Sequence, residues 1–254
     1  MHTQQPFSGW YIATPASLDA GWHLFASARR SLYFASKRLI DIVLALAALI
    51  ALAPLLALIG LAVRLDSPGP AIFRQKRVTA YRRVTPEGEV WEIGTFTCYK
   101  FRSMYCATTP DLHHAFVKAF IACDHKTMTE LNGGETDTAK LVNDPRVSRV
   151  GRFIRSASLD ELPQLWNVLA GDMSLVGPRP AIPYEVEAYS PWHHRRLTAK
   201  PGLTGWWQVK GRCAVTFEDS ISLDVWYVDH QSFWLDLKIL LLTPQAVLSR
   251  RGAV

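Results

Sequence analysis

Residues 42–63, IVLALAALIALAPLLALIGLAV, carry no charged or strongly polar side chain. At about 1.5 Å of rise per residue, a helix of this length reaches across the ~30 Å hydrocarbon core of a bilayer. A core helix apolar on every side would need partners on every side, and the rest of the chain is too small and too polar to supply them. A cleaved signal peptide fits no better. The run starts late, exceeds an apolar region of roughly 7–15 residues, and leads into Arg64-Leu65-Asp66 rather than a small-residue cleavage site.

Positive charge flanks the run on both sides. Arg29, Arg30, Lys37 and Arg38 precede it, and Arg64, Arg74, Lys76 and Arg77 follow it. The positive-inside rule therefore puts both ends on the cytoplasmic face, which one crossing cannot satisfy. Pro54, near the middle, removes a helical hydrogen bond and crowds the preceding turn. Two arms of about 17 Å would reach the midplane and return. The expectation is a re-entrant helix-break-helix over 37–65 with its break at Pro54, a kinked single span being the alternative. Residues 1–36 form an aromatic-rich leader to which no role attaches, and 66–254 a compact cytosolic or interfacial domain.

The chain has 254 residues, 49% of them hydrophobic, a net charge of +6 and a mean hydropathy of +0.05. These values exclude disorder, collagen and small disulfide scaffolds. Cys98, Cys106, Cys123 and Cys213 form no CxxC pair and have no histidine at zinc spacing, so they read as reduced structural thiols. The basic balance beside an apolar anchor points to anionic membrane lipid, and no nucleic-acid motif or internal repeat is present.

Downstream of the anchor, Asp66-Ser67-Pro68-Gly69-Pro70 is turn chemistry. The β-branched and aromatic residues around Pro86-Glu87-Gly88 predict a hairpin. Residues 105–142 read as helix plus a polar loop at Asn132-Gly133-Gly134. The fold class expected is mainly α with a small β-hairpin element.

Chemistry concentrates between 143 and 212. Asn143-Asp144-Pro145 is a helix-start signal, and Arg146, Arg149, Arg152 and Arg155 recur every third residue along one broad side. Such a row suits a phosphate-rich ligand or a lipid headgroup, or else a solvated helix face. It leads to Asp160-Glu161 within Ser158-Leu159-Asp160-Glu161-Leu162-Pro163. Ser158 and Glu161 have capping-box spacing, which would make Glu161 structural. Pro163 opposes that, since it would then be the fifth helical residue. A start nearer Asp160 puts Pro163 in the first turn and aligns Leu162, Leu165, Trp166 and Leu169 on one apolar face. Carboxylates at a helix N-terminus beside arginines should stay ionised, as a nucleophile on phosphorus or a magnesium ligand requires. Arg179, between Pro178 and Pro180, sits in a stiff turn that suits either a phosphate clamp or a plain connector.

SLDELPQLWNVLAGDMSLVGPRP, together with SPGPAIFRQKR, YKFRSM, DPRVSRVGRFIR, PGLTGWWQVKGR and LDVWYV, resembles the bacterial sugar transferase family, the monotopic phosphoglycosyltransferases. The likeness runs in order from about Lys37 to the C-terminus. It implies transfer of a sugar 1-phosphate from a UDP-sugar to undecaprenyl phosphate, release of UMP, Mg2+, and a catalytic domain on the cytoplasmic face of the inner membrane. Carried over, Asp160 is the nucleophile that forms a phosphosugar-enzyme intermediate, and Glu161 binds or orients the metal, with Asp160 as a possible co-ligand. Arg179 and Arg155 hold phosphates, with Arg152, Lys100 and Arg102 as further phosphate-binding candidates. The family's Ser-Pro at the helix break is Ala53-Pro54 here, which removes a hydroxyl able to satisfy a freed backbone group. Residues 78–97 and 124–142 look longer than the family minimum.

Trp206-Trp207 reads as packing or a membrane-interface pair ahead of Gly211-Arg212. Phe233, Trp234, Leu237 and Leu241 form an apolar stripe, interfacial or core. A sugar-only transferase releasing UDP and a non-catalytic membrane scaffold with Asp160 and Glu161 as helix caps remain alternatives. A homo-oligomer is compatible with the sequence.

Overall fold

The computed structural model describes residues 11–13, 20–85, 88–105, 111–122, 124–132, 146–210 and 216–248. Helix α1 (Ala20–Asp66) is built from Ala, Leu and Ile and runs unbroken through Pro54. It begins well upstream of position 37, so part of the leader belongs to the same helix. One face is buried through Asp41, Ala45, Ile59 and Val63, while Val43, Leu46, Ile50, Leu58, Leu61 and Leu65 are exposed. The apolar helix is thus covered on one side only. It is long and apolar enough to cross a membrane.

The apolar run of that helix is tied at both ends to the same globular body. Lys37 pairs with Asp236 at 2.7 Å, and Asp236 also accepts from Tyr33 and Tyr227 at 2.8 and 2.7 Å. Arg38 donates to the carbonyls of Val168 and Leu169, and Asp41 accepts from the Leu175 amide at 2.9 Å. At the far end Asp66 accepts from the Val150 amide at 3.2 Å. The Arg102 guanidinium donates to the carbonyls of Val63, Ser67 and Pro68 and to the Ser67 hydroxyl. Arg102 is therefore buried as a cap on carbonyls at the C-terminal end of α1.

The expected hairpin is a pair of 14-residue strands, β2 (Ile72–Thr85) and β3 (Gly88–Phe101), with Thr85 opposite Gly88. Gly88 has φ of 135°, which its lack of a side chain allows. Pro86 and Glu87 lie outside the described residues. Strand β1 (Tyr11–Ala13), from the leader, adds to the other edge of β3. Period-two alternation gives the hairpin two distinct faces. Val78, Ala80, Trp91 and Ile93 join Val186, Leu197, Phe217 and Ile221 in one core. The opposite face carries Gln75 and Arg77 across from Cys98 and Phe96.

Helices α2 (Asp111–Ile121) and α3 (His125–Leu131) take the place of the single helix expected after residue 105. The loop beyond Asn132, Arg212, and Cys106, Cys123 and Cys213 lie outside the described residues. Helix α4 (Arg149–Ser156) starts later than expected, because Ser148 caps it by accepting from the Gly151 amide at 3.0 Å. Arg146 consequently lies before the helix. Asn143, Asp144 and Pro145 are not among the described residues.

A 3-10 turn (Leu159–Glu161) leads to α5 (Gln164–Ala170), which starts later than the expected position near Asp160 and so has Pro163 at its N-cap rather than in its first turn. Asn167, fully buried, bonds α5 to β3: its side-chain oxygen accepts from the Tyr99 amide at 3.0 Å and its NH2 donates to the Thr97 carbonyl at 2.8 Å. Leu165 is buried and Leu162 and Leu169 pack beside it. Trp166 departs from the expected stripe and is 61% exposed.

Strand β4 (Ser174–Val176) pairs in parallel with β5 (Gly202–Thr204). The backbones approach so closely that a Cβ at Gly177 would lie 2.2 Å from the Lys200 carbonyl oxygen. Between the strands run α6 (Pro183–Glu187) and a 3-10 turn (His193–Leu197), and after β5 come α7 (Trp206–Lys210), α8 (Phe217–Asp229) and α9 (Phe233–Leu248). Trp206 is packed, stacking on Trp226 at 5.1 Å between ring centroids. Helix α9 turns Asp236 and Ile239 inward and leaves Phe233, Trp234 and Leu241 exposed.

Candidate active site

Asp160 and Glu161 project from the 3-10 turn that joins α4 to α5. Ser158 enters this turn with φ of 55°, unique among the described non-glycine residues. Left-handed backbone costs an ordinary residue about 1–2 kcal/mol, and such strain persists where the surroundings over-determine it. Ser158 makes no side-chain capping bond, so the capping box does not form. Glu161 pairs instead with Lys100 of β3 at 2.6 Å.

The half-buried Asp160 carboxyl is pushed up to about 6. Burial is the main cause and the Glu161 charge the second, while Lys100 and Arg155 pull the other way. The sequence leads to two carboxylates held ionised by arginines. In the fold, desolvation and like-charge repulsion outweigh the cations.

Arg155, in the last turn of α4, acts directly on Asp160. Its Nη1 is buried and has no partner among the described residues. An unsatisfied buried donor beside an acidic side chain is suited to an anionic ligand oxygen. Arg152 and Arg149 are exposed on α4, and neither is among the charges that act most strongly on Asp160.

Arg179 is exposed between two buried prolines in the turn after β4. Two arginines grip that turn from behind. Arg196 donates to the Arg179 carbonyl at 3.1 Å, and Arg77 donates to the Pro180 carbonyl at 2.7 Å. Arg196 is itself held by Asp224 at 2.6 Å and by the Tyr189 hydroxyl at 2.8 Å. Arg179, Glu161 and Lys100 all act on the Cys98 thiol, which burial pushes up. The Pro-Arg-Pro turn, the acidic pair and the hairpin lysine therefore converge beside one end of β3.

Sequence reasoning missed Gln75, Arg77, Asn167, Arg196 and Asp224. For the first two a signal existed: antiparallel pairing with period-two alternation sets Gln75 and Arg77 on the same face as Lys100.

No group of three His, Cys, Asp or Glu side chains able to hold a metal occurs among the described residues. Two adjacent carboxylates do fit Mg2+, which typically takes one or two carboxylates and completes its shell with water and substrate phosphate.

The profile of the family described as bacterial sugar transferase matches residues 32–250. The chain is 44% identical over 226 residues to an undecaprenyl-phosphate galactose phosphotransferase of Salmonella typhimurium, covering 89% of this chain and 43% of that protein. It is 37% identical over 228 residues to an undecaprenyl-phosphate glucose phosphotransferase of Komagataeibacter xylinus, covering 85% of this chain and 36% of that protein. It is also 39% identical over 218 residues to the exopolysaccharide production protein ExoY of Sinorhizobium fredii, covering 86% of this chain and 88% of that protein. The chain thus spans about two fifths of the length of the longer relatives it matches.

Proposed function

The chain belongs to the bacterial sugar transferase family, and from that membership we propose that it transfers a sugar 1-phosphate from a UDP-sugar to undecaprenyl phosphate and releases UMP. The observation that carries this reaction is the Asp160 carboxyl, raised to about 6 beside Glu161, Lys100 and Arg155. An oxygen of Asp160 attacks the sugar-bearing phosphorus of the donor. The bond from that phosphorus to the bridging oxygen breaks, and UMP leaves with the electron pair. An oxygen of undecaprenyl phosphate then attacks the same phosphorus and frees the Asp160 carboxylate. Displacement at phosphorus needs positioning and charge neutralisation more than proton transfer, and cations at the site supply both. A covalent intermediate lets two bulky substrates use one site in turn. Asp160 and Glu161 would hold Mg2+, which neutralises diphosphate charge when bound.

The test is nucleotide release by the purified protein with Mg2+, undecaprenyl phosphate and a panel of UDP-sugars. UMP is the expected product. UDP would overturn the reading in favour of transfer of the sugar alone.

The attacking group must be the carboxylate, so its titration sets an acid limb. Below about pH 6, kcat/KM for the donor is expected to fall about tenfold per pH unit. A pH-rate profile that stays flat down to pH 5 would show that this carboxyl does not titrate near 6 in the working enzyme.

The same protein is proposed to sit in the cytoplasmic leaflet of the inner membrane, with α1 entering and leaving by one face. Asp41 and Asp66 lie at the two ends of the apolar run, and both bond to the same body, through Leu175 and Val150. A straight crossing would carry one end away from that body. The exposed leucines and isoleucines of α1 are the surface that lipid would cover. Single cysteines at Arg29 and Arg64 should both react with a membrane-impermeant maleimide from the cytoplasmic side only. Labelling from opposite sides would establish a span instead.

A further inference from the structure

Arg77 is 6% exposed, and no acidic side chain forms a salt bridge with it among the described residues. All its hydrogen bonds go to neutral acceptors. Nε and Nη2 donate to the Gln75 Oε1 at 3.1 and 2.8 Å, and Nη1 donates to the Pro180 carbonyl at 2.7 Å. The strongest attractive charge on it is Glu185, and Arg179 opposes it. A buried cation without a paired anion is expensive to keep, which makes an arriving anion its natural complement.

The fork from Arg77 also sets the orientation of Gln75. With Oε1 taken twice, the carboxamide turns its NH2 away from Arg77, and that NH2 has no hydrogen-bond partner among the described residues. Gln75 lies directly opposite Cys98, two positions from Lys100 on the same face of the hairpin. Cys98 stands in the field of Lys100, Arg77, Glu161 and Arg179, so Gln75 lies on the hairpin face on which the charges of the acidic pair and the Pro-Arg-Pro turn act.

We propose that Gln75 contacts the donor substrate, its NH2 donating to a phosphoryl oxygen of the sugar-nucleotide diphosphate. Arg77 is the positioning residue that orients this amide and holds the Pro180 carbonyl behind Arg179. The assignment rests on the sugar 1-phosphate reading above. A neutral, pre-oriented donor adds direction without adding another charge to a site already rich in cations.

Three variants, Gln75→Glu, Gln75→Met and Arg77→Met, are compared with the wild type by thermal melting and by separate titration of donor and acceptor. Gln75→Glu gives Arg77 an anionic partner, so it should melt at or above the wild-type temperature. Its donor KM should nevertheless rise at least tenfold, with the acceptor KM unchanged within twofold. Gln75→Met should raise donor KM similarly, and Arg77→Met, which frees the Pro180 carbonyl as well as the amide, should raise it at least as far. Donor KM within threefold of wild type in both Gln75 variants would overturn the contact. So would a fall in kcat that tracks lost thermal stability at constant KM.

Calorimetric binding of UDP to the same proteins separates this proposal from the reaction itself. If the wild type releases no UMP from any donor, the reaction reading fails and UDP binding decides Gln75 alone. A tenfold weaker Kd in Gln75→Glu then supports the contact, and an unchanged Kd overturns it.

Discussion

Asp160→Asn is expected to lower UMP release by on the order of 10³-fold or more while leaving the protein at least as stable as the wild type. The loss follows from replacing the carboxylate proposed to attack by an amide of nearly the same shape, with Glu161, Lys100 and Arg155 left in place. The stability follows from the sign of the titration. The folded carboxyl is raised from 3.8 to about 6, so between those values the native state holds the proton more tightly than the unfolded chain. Stability therefore declines as pH rises through that window, and at pH 7 the charged carboxylate is a net cost. Removing the charge should return on the order of 1–2 kcal/mol at neutral pH. Nucleotide release and chemical denaturation on one preparation test both halves. A scaffold in which Asp160 merely caps a helix predicts the reverse, reduced stability and no change in turnover.

Asp224→Ala should be the most destabilising of the changes considered, at about 3–5 kcal/mol. Asp224 and Arg196 are both buried, and their 2.6 Å pair is extended by Tyr189 and by the Arg179 carbonyl. Burial pushes the Asp224 carboxyl up to about 6 even with Arg196 beside it, a measure of how much desolvation this pair bears. Removing the acid strands a guanidinium away from water with no counter-charge. The effect should reach the site, since Arg196 fixes the backbone of the turn that presents Arg179. The double change Arg196→Met with Asp224→Leu should cost less than Asp224→Ala alone, because it strands no charge. Urea denaturation measures these differences. A cost below about 1 kcal/mol for Asp224→Ala would mean that the pair does not hold the turn.

Several features of the site were open to reading in the chain because their causes are local. Pro163 cannot stand in the fifth position of a helix, which argued against Ser158 as the cap, although the helix then begins at Gln164, later than the start near Asp160 that the sequence suggested. The prolines on either side of Arg179 restrict that turn wherever it packs. Other assignments needed the fold. Arg102 and Lys100 lie two residues apart in one motif, yet Lys100 meets Glu161 and Arg102 caps α1. The row of four arginines separates likewise, once Ser148 sets the helix start at Arg149 and leaves Arg155 as the member that acts on Asp160.

The sequence by itself determined the apolar helix, the hairpin, the acidic pair and the family, because each is written in residues adjacent in the chain or in a short period of hydrophobicity. Only the tertiary structure decided which cation meets which anion, the raised titration of Asp160, and the gripping of both ends of the apolar run of α1 by one body. Those depend on desolvation and on partners up to 203 residues away, such as Tyr33 and Asp236, and chain neighbours carry no record of either.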